Sequence, residues 1–466
     1  MLLSAGRCLN NLKKRGDFLG MAHSSGTVLM TEGDYKKDII LFAIPVFIGA
    51  LFQQMYNTVD SLIVGNYLGP DALAAVSSTG SLTFLLVGFF WGFSNGAGVI
   101  VARFIGARNE DRTFHAVHTA MGVGLVCGTL MTILGVIISP ILLRIMQTPQ
   151  SVYVEAKTYL TIYFAGSFFL VMYNMMVAIL QAAGDSRHPL YYLVISSLTN
   201  IVLDIVFIAV FRMGVEGAAL ATILSECLSM LLCLQRLLRA EDSYRVDLRK
   251  IHFDRRCVQQ IIHQGLPTAF QSTVIDIGNL LIQSYINSFG ALAMAGIGAY
   301  TKVEGFCFLP VTSFSTAVTT FVSQNYGAGR RDRVRKGSFF SIACVVLMIE
   351  AIGVVMFLLA PQLMGAFSSD PSVIAYGVGR ARVCCLFYCV LGFSHISSAV
   401  LRGIDKPVVP TVIMMVCWCA VRVASVLTIG QIWHHVKLSY WLYPVTWMLS
   451  TVLFIIILAK ELRQRA

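Results

Sequence analysis

Long apolar stretches, separated by short polar connections, run from about residue 39 to residue 461. They fall at roughly 39–65, 72–103, 114–140, 152–181, 188–212, 214–239, 260–289, 292–326, 335–360, 372–401, 408–430 and 438–461. A helix needs about 20 apolar residues to cross the hydrocarbon of a bilayer. Helices are also the open-ended elements that satisfy their own backbone inside lipid. The pattern therefore predicts twelve transmembrane helices and no strands. The second and eighth stretches are long. At about 1.5 Å per residue they reach about 48 Å or more, so they tilt or project beyond the hydrocarbon.

The stretches repeat. The first opens "AIPVF" at Pro45 and the seventh "GLPTAF" at Pro267, and an asparagine follows each at the same spacing, Asn57 and Asn279. The second ends "RFIGARNEDR" and the eighth "QNYGAGRRDR", matching Gly106-Ala107 to Gly327-Ala328 and Asp111-Arg112 to Asp332-Arg333. "LQAAGDSRHP" before the fifth stretch echoes "LRGIDKPVVP" before the eleventh. The order is the same in both halves, so the chain is read as two homologous bundles of six helices related by pseudo-two-fold symmetry. Parallel repeats of this kind are a transporter signature, with the substrate site between the halves. The expected organisation is an N-terminal tail (1–38), an N-lobe (39–239), a charged linker "EDSYRVDLRKIHFDRR" (240–259), a C-lobe (260–461) and a short C-terminal tail (462–466). Met30, just before "TEGDYKKDIILFAIP", is a second candidate start.

Composition agrees with a membrane protein: 56% of residues are hydrophobic and 13% charged, against about 25% charged in soluble domains. The net charge of +11 could suggest nucleic acid, but its distribution argues for topology. If both termini are inside, the inner connections hold Arg103, Arg108, Arg112, Arg187, the run Arg236 to Arg256, Arg330 to Lys336, Arg402 and Lys406; the outer ones hold Arg144, Arg212 and Lys437. That asymmetry places both termini in the cytoplasm. Of the 12 cysteines, ten lie in apolar stretches and none forms a CxxC pair, so they read as packing residues. The first residues lack the sustained apolar run of a signal peptide.

Polar side chains within the apolar stretches are the candidates for chemistry, because they are costly there and commonly functional. Gln53, Asn57 and Asp60 share one face of the first helix. Asn200 and Asp204 are one turn apart in the fifth, as are Thr222 and Glu226 in the sixth. Asp276, Asn279, Gln283 and Asn287 form a stripe on the seventh. Glu304, His395 and Arg422 are isolated. Amides often serve only to join helices. Asp60 and Asp204 are harder to explain that way, since no basic residue on their own helices neutralises them at depth. Taking a carboxylate out of water disfavours its charged form, so the pair could carry protons; with asparagine and threonine oxygens beside it, the pair could instead hold Na⁺. No ATP-binding or dinucleotide motif occurs. "GFSNG" (Gly92 to Gly96) lies inside an apolar helix and is not a hydrolase elbow; Gly88, Gly92 and Gly96 read as small residues that let helices approach. His115 and His118 lack an evident third metal ligand. The chain is not expected to be an enzyme or to carry a cofactor, and transport would draw on an ion gradient.

"YNTVDSLIVGNYLGPDALAAVS", "GAGVIVARFIGARNEDR", "INSFGALAMAGIGAY", "FVSQNYGAGRRDR" and "LQAAGDSRHPL" together resemble the MATE (multidrug and toxic compound extrusion) transporters, over residues 35–461. The resemblance implies a V of two six-helix bundles around a central cavity. It also implies multidrug efflux of organic, often cationic, compounds by antiport with H⁺ or Na⁺. It is nearest to the DinF-like branch, whose cation site maps to Asp60, Asn200, Asp204 and Thr222. Gln53, Asn57, Asp276, Asn279, Gln283, Asn287 and Glu304 are the substrate-cavity candidates. Counting from Pro189 and Pro410, Ser425 stands where the first half has Asp204, so the lobes are chemically unequal. The expected setting is a multi-pass position in a bacterial plasma membrane, working as a monomer on drug-like substrates without nucleic acid. The alternative is a lipid-linked oligosaccharide flippase of the same superfamily, which would need cationic residues in its cavity; Lys302, Arg380, Arg382 and Arg422 are the candidates.

Overall fold

The computed structural model describes residues 29–145 and 148–464. The expected tail therefore lies partly outside the described residues. Among the described residues the chain is helical, with no strand. In the first half α1 is Tyr35–Leu68, α2 Pro70–Gly106 and α3 Glu110–Ile145. The fourth, α4, is Gln150–Ala165 continued past Gly166 by Ser167–Ala182, with a bend of 46°. Then come α5, Arg187–Asp204 extended by a π-helical segment Ile205–Val210, and α6, Val215–Leu238. The second half repeats the order. Its helices are α7 (Arg255–Asn287), α8 (Ala291–Gly327) and α9 (Arg331–Leu358). The tenth, α10, is Pro371–Cys384 joined through a 3₁₀ turn to Tyr388–Gly403. Next is α11, Val408–Met414 joined through a π-helical segment to Val421–Ile432. The last, α12, is Val436–Gln464. Among the described residues nine helices are long and apolar enough to span a membrane, and ten if the bent α4 counts as one span. The polar stripe of α7 is a reason that helix reads less clearly as a span.

The repeat is visible in the backbone. Gly69 and Gly290, at φ 90° and 91°, turn the chain between α1 and α2 and between α7 and α8. Arg108 (φ 52°) and Gly329 (φ 69°) occupy equivalent left-handed positions after α2 and α8. Gly184 (φ 86°) and Asp405 (φ 71°) do so before α5 and α11. Glycine meets no Cβ penalty there, and aspartate tolerates the conformation better than bulkier residues.

Each half has its own apolar core. One is built around Ile100, Met121, Phe164, Met175 and Leu237, the other around Tyr300, Phe321, Ile349, Tyr388 and Phe454. The cores exchange one element each. Ile39, Phe42 and Ala43 of α1, with Met30, belong to the second core; Cys257 and Ile261 of α7 belong to the first. The chain thus crosses between bundles at the membrane end that carries both termini, called the terminal face below. α1 begins at Tyr35, before the end of the expected tail of 1–38, and residues 30–33 are held against the second bundle.

At the terminal face the bundles touch backbone to backbone. A methyl on Gly106 would fall 1.9 Å from the carbonyl oxygen of Gln324, and one on Gly327 1.9 Å from that of Arg103. A methyl on Gly96 would fall 2.4 Å from the Gly265 nitrogen, and one on Gly92 2.5 Å from the Ala269 backbone. Two of the three glycines expected to admit a close helix approach do so; a Cβ on Gly88 would meet nothing within 4 Å. Side chains complete the seam. Gln264 donates to Asp405 Oδ1 (3.0 Å) and to the carbonyl of Arg402 (3.1 Å). Gln324 donates to the carbonyl of Ala182 (2.8 Å) and accepts from the Met30 amide (2.9 Å).

Candidate functional site

Asp60 sits on α1, and α5 and α6 bring three partners to it. Asp204 is the last residue of the α-helical part of α5, directly before the π-helical segment. Such a segment widens the turn and commonly marks a functional position. Asn200 and Asp204 are fully buried, and Thr222 nearly so. The side chains of Asp60 and Asp204 lie close enough to interact directly. Two carboxylates this close repel each other unless a proton or a cation is taken up between them. With its amide oriented to suit both neighbours, Asn200 donates to Asp204 Oδ2 at 3.0 Å and accepts from the Thr222 backbone N–H at 3.3 Å. Thr222 Oγ1 donates to the carbonyl of Ala218 (3.0 Å), so its remaining lone pair stays an acceptor. One oxygen each of Asp60 and Asp204, both Oδ1, is buried without a hydrogen-bond partner. Buried acceptors of this kind call for an explanation, and a cation or proton supplies one.

The four predicted residues are therefore brought to one place, although they come from three helices. Sequence reasoning paired Glu226 with Thr222 but did not place it in the cation site, yet its Oε2 is also buried and unpartnered. It missed Tyr56 and Tyr159, which lie within electrostatic reach of Asp60. Tyr56 is four residues before Asp60, so helical spacing alone could have flagged it; Tyr159 comes from α4 and could not be foreseen. Among the described residues no group of three or more His, Cys, Asp or Glu side chains could hold a metal. Two carboxylates with an amide and a hydroxyl suit a proton or a monovalent cation better than a divalent one.

Between the bundles lies a cavity of about 280 Å³, lined by α1, α2, α4, α5 and α8. Its wall includes Gln53, Trp91, Asn95, Asn174, Gln181 and Thr316. Of the substrate-cavity candidates only Gln53 lines it. Asn57, Asn279 and Asn287 are exposed, while Asp276 and Gln283 are half-buried. Gln283 donates to Asn287 on its own helix (2.9 Å). Glu304 points into the second bundle, where Oε1 accepts from the hydroxyls of Tyr300 (2.6 Å) and Tyr388 (3.3 Å). His395 is packed between Phe308 and Trp418. Gln53 and Asp60 are seven residues apart, about 10 Å along α1, so one helix carries both the cavity wall and the carboxyl pair. Pro45, on the same wall, removes a helical hydrogen bond and gives α1 a place to bend.

Two pseudo-symmetric helical bundles, a buried acid pair and a cavity between the bundles define a multi-pass membrane transporter and not an enzyme. The chain belongs to the MatE family, whose profile matches residues 45–206 and 267–426, one segment in each half. It is 29% identical to "Probable multidrug resistance protein YpnP" of Bacillus subtilis, covering 80% of this chain and 83% of that one. It is 27% identical to "Probable multidrug resistance protein NorM" of Thermotoga maritima, covering 83% and 84%. It is 22% identical to a "FAD transporter" of Shewanella oneidensis, covering 89% and 92%. In fold it is similar to a structure described as MATE in the bent conformation, with TM-score 0.88, 24% identity, and 95% and 98% of the two chains covered. It is likewise similar to an outward-facing multidrug resistance MATE family transporter, with TM-score 0.87, 23% identity, and 95% and 99% covered.

Proposed function

We propose that this chain exports small organic compounds across a bacterial plasma membrane, driven by inward movement of H⁺ or Na⁺ through the Asp60–Asp204 pair. The multidrug resistance proteins among its relatives support drug-like substrates. The basic residues concentrated at the terminal face support a cytoplasmic position for both termini. The observation that carries the coupling role is the contact of the two carboxyls with one oxygen on each left unpartnered. Protonation or Na⁺ binding removes the repulsion between them and lets α1 and α5 pack more closely. Because α1 also forms the cavity wall, that rearrangement changes the room available to the compound. Compound and cation then favour opposite conformations, and linkage requires each to weaken the other's binding by the same factor. Dye efflux from vesicles, under an imposed pH gradient and then an imposed Na⁺ gradient, tests the proposal. Efflux that follows neither gradient would overturn it.

A further inference from the structure

The second bundle carries charge of the opposite sign. Arg380 of α10 and Arg422 of α11 are only 3% and 2% exposed. Both guanidinium groups face the ring of Tyr443, at 4.4 Å and 4.2 Å from its centroid. Arg380 also faces Tyr300 (5.2 Å), and Arg422 faces Trp418 (5.6 Å). The Arg422 Nε donates to Thr446 Oγ1 at 2.8 Å. Arg380 Nε and Arg422 Nη2 are sealed from solvent without a hydrogen-bond partner. The carboxylate that acts on both is Glu304, which is engaged by two tyrosine hydroxyls and forms no ion pair with either arginine among the described residues.

Two buried cations thus face one carboxylate. Contacts with aromatic faces offset part of the cost of burying a guanidinium, but they leave its N–H donors unused. An uncompensated charge at membrane depth is expensive and marks a ligand or ion pathway. Arginine is also suited to the job, because its planar fork of donors stays charged and matches small oxyanions and halides. We propose that Arg380 and Arg422 form a site for one small monovalent anion, a halide or a carboxylate group, with Thr446 holding Arg422 in place through its Nε. The anion bridges the two unpartnered guanidinium nitrogens and brings the cluster to neutrality. The two lobes then bind ions of opposite sign, a cation in the first and an anion in the second.

Trp418 beside Arg422 provides a direct readout, since bromide quenches indole fluorescence on contact. The purified full chain in detergent, in sulfate buffer, is titrated with sodium bromide. The expected result is a saturable quench in wild type that is lost in Arg422→Gln and in Trp418→Phe and retained in Asp60→Asn. Displacement of bromide by acetate shows that carboxylates are accepted. Two transport arms separate the sources. Loss of dye export in halide-free medium assigns the site to a free halide. Selective loss of carboxylate-bearing compounds in Arg422→Gln, with cationic dyes still exported, assigns it to the transported compound. Purely linear, collisional quenching in wild type would overturn the proposal, and that measurement does not depend on any variant folding. A saturable quench unchanged in both Arg422→Gln and Arg380→Gln would overturn it too.

Discussion

Arg103 at the end of α2 and Asp405 before α11 close the terminal face as an ion pair between the two bundles, with Nη1 donating to Oδ2 at 2.9 Å and Nη2 2.7 Å from Oδ1. The contact depends on two backbone peculiarities. Asp405 is held in the left-handed conformation that Gly184 adopts at the matching place in the first half. Arg103 also gives its carbonyl to the Gly327 contact. In a transporter that alternates between faces, such a pair holds one face shut and must break in each cycle.

Breaking the pair is expected to populate states open at the terminal face. A double-mutant cycle of Arg103→Ala and Asp405→Ala should give a coupling energy of about 1 kcal/mol. Labelling of a cysteine introduced at Thr320, which is buried beside α2 and α4 of the first bundle and close to cysteine in size, by a membrane-impermeant thiol reagent applied from the terminal side would report the opening. Equal labelling with and without the pair would show that it is not a latch.

Alanine at Gly106 or Gly327 should block closure itself. The added methyl would sit 1.9 Å from a carbonyl oxygen of the other bundle, and overpacking of this kind costs about 1–3 kcal/mol. Closure would then be disfavoured by about tenfold or more. Membrane insertion should be normal, because neither contact lies within a bundle core. Dye efflux normalised to the amount of inserted protein is the measurement, and wild-type rates would refute the argument.

Asp60→Asn and Asp204→Asn should each abolish gradient-driven export while the protein remains folded and inserted. An amide keeps the hydrogen bonding but cannot change charge. In wild type the affinity for an exported dye should depend on pH or Na⁺, and in the double variant that dependence should vanish. If it persists, the coupling site is elsewhere, with Asp276 and Glu304 the next residues to replace.

The N-terminal approach to α1 should divide sharply at Met30. Its backbone amide donates to Gln324, and its carbonyl accepts from Asn325 (3.1 Å) and Arg333 (3.0 Å). Arg330 and Arg333 also donate to the carbonyls of Thr31 and Gly33. A chain beginning at Met30 is expected to transport normally. One beginning at Asp34 should lose thermal stability, because buried donors of the second bundle are left unpaired. Melting temperatures of the two truncations in detergent decide the point.

Asp254 gives a pH-dependent test outside the membrane. Its carboxylate accepts from the Cys257 N–H (2.8 Å) and caps α7, and that bond holds it below the ordinary carboxylate value of 3.8. Because the folded value lies below the unfolded one, the cap is fully stabilising above the ordinary value and is lost as pH falls through the folded value. Asp254→Ala should cost about 1 kcal/mol near neutral pH, and the difference from wild type should shrink toward zero in strong acid. Unfolding midpoints measured across that range provide the check.

The sequence by itself determined the helices, their order and the repeat. Helical spans follow from local apolarity and backbone self-satisfaction in lipid, and the repeated motifs mark equivalent turns such as Gly69 and Gly290. It also singled out Asp60, Asn200 and Asp204, because ionisable and amide groups stand out against an apolar background; Thr222 joined them through the family resemblance. What it could not give were relations between helices distant in the chain. The meeting of Asp60 with Asp204, the electrostatic reach of Tyr159, and the burial of Arg380 beside Arg422 all depend on which helix faces turn toward one another. Periodicity finds a polar face but not its partner. That is why Gln53 lines the cavity while Glu304, equally conspicuous in sequence, is turned into the second bundle toward Tyr300 and Tyr388. The terminal face was the least legible part. Its closure rests on glycine backbones and on left-handed residues such as Asp405, whose role exists only once the two bundles are brought into contact.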